Sequence, residues 1–214
     1  MTDRMFSLAV LISGNGSNLQ AIIDQCEAGQ INARICCVVS NEESAFGLER
    51  AKDAGIPTHV LSHRGYPSRD QYDTDLAALL ETCRPDLIVL AGFMRILGAG
   101  FIDRFPNRII NLHPSLLPNH KGLDTHARAL EAGDREHGAS VHLVTPDLDS
   151  GPVLIQAAIR VAEDDTVETL QNKVHELEHD ILPRVVGWFA DHRITISGDL
   201  ILLDNVPIGK TDTE

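Results

Sequence analysis

An asparagine and a histidine two residues apart follow an apolar run near the middle of the chain. Asn111 and His113 fall at the end of a predicted strand, directly before Pro114. Alternate residues of a strand point to the same side, so we expect the two side chains to project together. An asparagine amide can donate to a developing oxyanion, and a histidine with a pKa of about 6.5 exchanges protons at neutral pH. The pair predicts a site that stabilises an oxyanion and moves a proton.

Two aspartates further along the chain could supply a carboxylate to this histidine. Asp147 and Asp149 lie in the segment 145–152, between two predicted strands. A carboxylate could orient His113 and stabilise its imidazolium form. Aspartate before Ser-Gly-Pro is also ordinary turn chemistry. The residues alone do not choose between Asp147 and Asp149.

A glycine-containing turn near the start of the chain could bind an anion. Gly14 and Gly16 lie between a predicted strand and a predicted helix, where free N–H groups and the helix dipole favour negative charge. Ser17 and Asn18 could add side-chain donors or cap the helix. The turn lacks the lysine of a P-loop and the third glycine of a dinucleotide fingerprint. It predicts a site for a phosphate monoester, with a purely structural tight turn as the alternative.

A zinc-protease motif also occurs, and its context argues against that chemistry. Residues 175–179 match HExxH. We expect one apolar stripe of the surrounding helix to be buried, formed by Val167, Leu170, Val174, Leu177 and Ile181. His175 and His179 point away from that stripe, so we expect two solvated histidines and no metal. Glu178 lies at the edge of the stripe and could reach into a cleft.

Apolar runs alternate with segments of helical periodicity, which defines the fold class. The predicted strands cover residues 6–12, 35–39, 58–61, 87–91, 108–112, 139–144 and 153–161. One predicted helix begins after residue 16, and three others cover residues 45–54, 68–82 and 166–190. Such alternation predicts an α/β fold with a doubly wound, mainly parallel sheet and flanking helices. Asp165 and Glu168 have the spacing of a capping box. Residues 194–203 predict a small C-terminal hairpin, and 210–214 a loose tail.

The composition restricts the partners that we expect. The 214 residues carry 18 Lys and Arg against 31 Asp and Glu, for a net charge of −13. An acidic surface repels a phosphate backbone, so we expect small-molecule substrates and no nucleic acid. No apolar segment is long enough to predict membrane insertion. The four cysteines form no CxxC pair, which is typical of free thiols in a reducing compartment, and we expect a cytoplasmic protein.

Several segments together resemble the glycinamide ribonucleotide formyltransferases, a family of folate-dependent enzymes of purine biosynthesis. The resemblance is carried by residues 11–19, 91–95, 111–118 and 140–142, and by Asp149, Gly151, Pro152 and Gln156. Their order and spacing match over about residues 6–190. The resemblance implies transfer of the formyl group of 10-formyltetrahydrofolate, a cosubstrate, to the amine of glycinamide ribonucleotide, without a metal.

The resemblance also implies roles for individual residues. It makes Asn111, His113 and Asp149 catalytic, with Asp149 raising the pKa of His113. It places the ribonucleotide phosphate on Gly16, Ser17 and Asn18, and the ribose hydroxyls on Glu178. It assigns the folate to Arg69, Met94, Arg95, Ile96, Leu97 and Val144, with the guanidinium of Arg69 meeting the glutamate tail.

The same resemblance defines one formyltransferase domain over residues 1–214. Within it, we expect a nucleotide-binding half at 6–110, a catalytic and folate-binding half at 111–190, and the hairpin and tail at 191–214. The alternative activity is hydrolysis of 10-formyltetrahydrofolate by a deformylase, which needs no phosphate site. A non-catalytic nucleotide-binding regulator would not need the three catalytic residues together. The oligomeric state stays open, with a homodimer as one candidate.

Overall fold

A seven-stranded sheet forms the centre of the protein in a computed structural model that describes residues 4–198 and 200–208. The strands are β1 (Phe6–Ile12), β2 (Ala33–Ser40), β3 (Thr58–Val60), β4 (Leu87–Leu90), β5 (Ile109–His113), β6 (Glu136–Leu143) and β7 (Val153–Arg160). Their order in the sheet is β3-β2-β1-β4-β5-β6-β7. The strands β1 to β5 pair with one another in parallel, and β6 is antiparallel to both β5 and β7. The expected mainly parallel sheet is confirmed.

Helices cover both faces of this sheet. They are α1 (Ser17–Glu27), α2 (Gly47–Asp53), α3 (Arg69–Cys83), α4 (Ala99–Ile102), α5 (Thr125–Ala132) and α6 (Val167–Ala190). The sequence did not predict α4 or α5. The four residues of α4 are too few to show a helical period, and α5 buries only Thr125 and Ala129.

Two apolar clusters hold these layers together, one on each face of the sheet. Along β1, Leu8 and Val10 join the cluster packed against α1, α2 and α6, whereas Ala9 and Leu11 join the cluster packed against α3 and α4. A strand buried on both faces reads as a continuous apolar run rather than an alternating one, which is why β1 is visible in the sequence.

The start of α6 differs from the prediction. The capping residue is Thr166, whose hydroxyl accepts from the Thr169 backbone N–H, while the Thr169 hydroxyl accepts from the Thr166 N–H. The predicted pairing of Asp165 with Glu168 as a capping box is therefore wrong. The Asp165 carboxylate instead accepts hydrogen bonds from Lys173, which lies eight residues further along the chain in α6.

The helix also buries a different set of residues from the predicted stripe. Val167 is exposed and Leu177 is only half-buried, whereas Leu170, Val174 and Ile181 are buried as expected. Val167 lies in the first turn of α6 and lines a cavity.

The C-terminal part forms a small second sheet. The predicted hairpin is present as β8 (Ile194–Ser197) and β9 (Leu200–Leu203), and β10 (Val206–Ile208) adds a third antiparallel strand that the sequence did not predict. The predicted tail at 210–214 lies outside the described residues. Among the described residues, no helix combines the length and the apolar character needed to span a bilayer.

Candidate active site

A cavity of about 720 Å³ opens at the carboxyl edge of the sheet, beside the ends of β4 and β5. Asn111 and His113 line it from β5, and Asp149 lines it from the loop between β6 and β7. Open α/β sheets bind ligands at this edge, because the strand ends present side chains without a covering helix. The three residues expected to be catalytic therefore meet in one cavity.

His113 and Asp149 form a buried pair. The Nδ1 atom of His113 lies 3.4 Å from Oδ2 of Asp149, and the side chains are only 6% and 7% exposed. The Gly122 backbone N–H donates to the same Oδ2 at 2.9 Å. Asp147, the other aspartate of this loop, is exposed and its side chain is not part of the pair. The structure thus separates the two aspartates that the residues alone left equivalent.

Burial and charge act in opposite directions on this pair. Burial is the largest influence on His113 and lowers its pKa, although the His120 carbonyl and the Asp149 charge both favour the protonated ring. Asp149 therefore raises the pKa of His113 as expected, but burial outweighs this contribution and the net pKa is lowered. Burial also disfavours the Asp149 carboxylate, but the polar groups around it, among them the Gly122 N–H and the His113 ring, outweigh this and lower its pKa.

The second ring nitrogen of His113 faces a loop. Nε2 lies 3.0 Å from the backbone carbonyl of His120, and the His120 ring in turn contacts Asp134 at 2.6 Å. Lys121 donates to the Ser150 hydroxyl, so the segment 118–124 is tied to the loop that carries Asp149. The sequence analysis did not predict contact between this segment and the residues expected to be catalytic.

The glycine turn presents unpaired backbone donors at the start of α1. Gly16 is the capping residue with φ of 75°, and no side chain caps the helix. A Cβ at Gly16 would lie 2.6 Å from the Gly47 backbone, so only glycine fits this approach. The first N–H groups of α1 thus remain available to an anion. Ser17 is half-buried beside them.

Asn18 connects this turn to the long helix α6. Its Nδ2 donates to Oε2 of Glu178 at 2.8 Å, although the two residues are 160 positions apart. Glu178 is 4% exposed. Burial raises the pKa of its carboxyl, while the Asn18 bond and the charge of His175 oppose that effect. Four expected ribonucleotide residues are therefore neighbours in the fold.

Ser13 joins the glycine turn to the cavity wall, a role that the sequence analysis missed. Its backbone N–H donates to the Gly92 carbonyl at 3.0 Å, and its hydroxyl accepts from the Met94 N–H at 2.7 Å. The same hydroxyl donates to Asn41 at 2.5 Å. The two loops that Ser13 joins follow β1 and β4, which are neighbours in the sheet. The sequence does not contain the strand order, so it could not predict this contact.

Most of the expected folate residues line the cavity. Met94 is 64% exposed and Ile96 is 49% exposed, while Leu97 is buried and Arg95 and Val144 are half-buried. Three further apolar side chains are exposed at the cavity: Leu123, Leu148 and Val167. Arg69 is exposed at the start of α3 and does not belong to the cavity lining.

The two histidines of the HExxH segment are not the solvated pair that we expected. Both are half-buried, and their rings stack with centroids 6.3 Å apart. The Nε2 atom of His179 is buried without a hydrogen-bond partner in the described part of the chain. His175 Nε2 lies 3.9 Å from the Glu178 carboxylate. Within residues 4–198 and 200–208, no three His, Cys, Asp or Glu side chains are placed to hold a metal ion.

Comparison with known proteins gives a consistent assignment. Residues 6–186 match the family described as formyl transferase. The chain is 49% identical over 198 residues to the phosphoribosylglycinamide formyltransferase of Escherichia coli, covering 92% of this chain and 93% of that protein. It is 43% identical over 207 residues to the protein of the same name from Haemophilus influenzae, covering 97% and 98%.

A solved structure shares both the fold and much of the sequence. The phosphoribosylglycinamide formyltransferase from Coxiella burnetii, solved in complex with CHES, aligns with a TM-score of 0.91 at 48% identity, and the match covers 96% of each chain. From the family match and the extent of these similarities, the chain belongs to the formyl transferase family.

Proposed function

We propose that the chain transfers the formyl group of 10-formyltetrahydrofolate to the amine of glycinamide ribonucleotide, producing N-formylglycinamide ribonucleotide and tetrahydrofolate in de novo purine biosynthesis. The observation that carries the proposal is one sheet edge that presents an anion-binding turn, a partly apolar cavity and a buried His–Asp pair together. Relatives that carry the name of this activity, at 43–49% identity over almost the whole chain, support it.

The ribonucleotide binds at the start of α1 in this proposal. Gly16, Ser17 and Asn18 hold the phosphate through the free N–H groups of the helix. Glu178 accepts hydrogen bonds from the ribose hydroxyls. Because Oε2 of Glu178 already accepts from Asn18, we assign the ribose to Oε1. The residues come from both 6–110 and 111–190, so the nucleotide site depends on α6 packing against α1.

The folate occupies the cavity in the same proposal. Exposed apolar side chains such as Met94 and Ile96 suit the face of a flat ring, which would remove them from water. The Nε atom of Arg95 is buried without a partner in the described residues, which fits a polar ligand atom beside it. Leu97 and Val144 complete the wall. Arg69 lies outside the cavity, where it pairs with the carboxylates of the glutamate tail of the folate as this tail extends out of the cavity.

The lowered pKa values of the buried pair define the protonation states before reaction. At neutral pH, His113 is uncharged and Asp149 is ionised. Both ring nitrogens of His113 face acceptors, Nδ1 the Asp149 carboxylate and Nε2 the His120 carbonyl. Once substrate replaces the His120 carbonyl, the ring hydrogen lies on Nδ1 facing Asp149 and Nε2 carries a lone pair. His113 is thereby prepared to accept a proton next to a fixed negative charge.

The reaction then follows from where charge develops. When the substrate amine attacks the formyl carbon, the carbonyl oxygen becomes an oxyanion, to which the Asn111 amide donates. His113 takes the proton that the attacking nitrogen loses, directly or through a water, and Asp149 stabilises the imidazolium. As the carbon–nitrogen bond to tetrahydrofolate breaks, His113 returns the proton to the leaving nitrogen. The three side chains supply this chemistry without requiring a metal.

The remaining parts of the proposal concern the setting of the enzyme. Cys26, Cys36, Cys37 and Cys83 are all free thiols, which supports a reducing, cytoplasmic location. The charge of −13 supports small molecules rather than nucleic acid as partners. A homodimer remains the assembly to test by sedimentation.

The function is tested by following tetrahydrofolate release from 10-formyltetrahydrofolate with and without glycinamide ribonucleotide. We expect turnover only when the ribonucleotide is present, because its amine is the formyl acceptor. Equal turnover without the ribonucleotide would contradict the proposal and indicate a hydrolase. Absence of turnover in both reactions would also contradict it.

The role of the buried pair is tested by Asp149→Asn with Asp147→Asn as the matched control. We expect Asp149→Asn to lower kcat at least about 100-fold, because the imidazolium loses its counter-charge. Asp147→Asn, at an exposed position of the same loop, should change kcat less than about threefold. Equal losses in the two variants would refute the assignment of Asp149.

The ribose contact is tested by Glu178→Gln, with the exposed Glu176→Gln on the same helix as control. Loss of a charged acceptor should raise KM for the ribonucleotide roughly 10-fold or more and leave KM for the folate nearly unchanged. Steady-state kinetics with each substrate varied provides the measurement. A similar rise for both substrates, or for both variants, would remove Glu178 from the ribonucleotide site.

A further inference from the structure

Another buried histidine contacts the catalytic residues and has no role in the reaction described above. His142 is 2% exposed and lies opposite Asn111 in the antiparallel pairing of β5 with β6. Its Nε2 atom lies 3.1 Å from Nδ2 of Asn111. The register between β6 and β7 shifts between Val141 and His142. Such irregularities near a site redirect a side chain, and here the result is a ring aimed at Asn111.

The surroundings of this ring determine which nitrogen carries hydrogen. Nδ1 lies 2.9 Å from the Leu143 backbone carbonyl, which can only accept a hydrogen bond. Nδ1 is therefore the donor. In the neutral ring Nε2 then has a lone pair and accepts from the Asn111 amide nitrogen. The ring thus specifies which end of the Asn111 amide it binds.

This choice affects the proposed chemistry directly. An amide nitrogen carries two N–H groups, and the His142 bond uses one of them. The second N–H is the donor that stabilises the oxyanion. If the amide were rotated by 180°, its oxygen would replace the nitrogen and the oxyanion would meet no donor from that end. A buried asparagine with an unfixed amide could adopt both orientations.

Asp149 is close enough to compete with Asn111 for Nε2 of His142. Its Oδ1 lies 3.6 Å from Nε2 of His142, on the carboxylate whose other oxygen faces His113. A proton on Nε2 would point to Asp149 and would leave the Asn111 amide nitrogen without an acceptor on His142. The two arrangements differ in the protonation of one atom, and they predict opposite amide orientations.

We propose that His142 is a positioning residue that fixes the Asn111 amide with its nitrogen toward the reacting carbonyl, through an unprotonated Nε2. The inference rests on the proposed function for its consequence in catalysis. The geometry that carries it is the cross-strand pairing, the bond to the Leu143 carbonyl and the 3.1 Å contact.

A double-mutant cycle tests whether His142 acts through Asn111. His142→Leu removes the acceptor and should lower kcat at least roughly 10-fold with each KM changed less than about threefold. His142→Gln keeps an acceptor near the Nε2 position and should recover most of that loss. In an Asn111→Ala background, His142→Leu should cost nothing further, because its effect requires the amide.

A matched control is available on the same strand. His137 is also buried, and its ring contacts His126 rather than Asn111. Any loss in His137→Leu should persist at full size in the Asn111→Ala background. The proposal is overturned if His142→Leu behaves in the same additive way, or if it leaves kcat unchanged.

The tautomer is measured in the unmodified protein, which avoids dependence on the folding of variants and on activity. Long-range ¹⁵N–¹H correlation of the His142 ring should show a protonated Nδ1 and an unprotonated Nε2 at neutral pH. A protonated Nε2 would overturn the proposal. Failure of the proposed function would appear separately, as ribonucleotide-independent turnover of the unmodified protein.

Discussion

The buried contact between His113 and Asp149 is the constraint around which the rest of the site is arranged. An ionised carboxylate that is 7% exposed requires compensation, because burial removes the water that would stabilise its charge. Here the compensation comes from the His113 ring and the Gly122 N–H. The two come from different segments, so the strand β5 and the 118–124 segment must both be in place before this carboxylate is stabilised.

A second set of contacts joins the nucleotide part of the site to this pair. Ser13 holds the glycine turn to the loop after β4, and Asn18 binds Glu178 on α6. The two loops follow the adjacent strands β1 and β4. Because the glycine turn follows β1 and His113 ends β5, with β4 between these strands, the sheet itself fixes the distance between the proposed phosphate site and His113. The loops supply the chemistry, and the parallel strands supply its geometry.

The sequence was sufficient for the sheet because its central strands are buried on both faces and appear as uninterrupted apolar runs. It was insufficient for α5 and β10, which are short and bury few residues. The threonine cap of α6 was missed because aspartate and threonine both cap helices, and the choice depended on where Lys173 draws Asp165. The spacing of residues in the sequence could not show which of Asp165 and Thr166 caps the helix.

Residue types predicted the site better than they predicted its electrostatics. Asn111 and His113 share a strand, so their proximity followed from the period of two. The role of His142 required the register between β5 and β6, which the sequence does not contain. The pKa of His113 required the depth of burial, because a neighbouring carboxylate and desolvation act in opposite directions and only the structure gives their balance.

The pKa of His113 in the unmodified protein and in Asp149→Asn, followed by NMR titration of its ring, tests this account most directly. The account predicts a pKa below the ordinary 6.5 in the unmodified protein, because burial outweighs the carboxylate. It predicts a further decrease in Asp149→Asn, because the charge that favours the imidazolium is removed. A pKa at or above the ordinary value, or one that rises when Asp149 is neutralised, would contradict it.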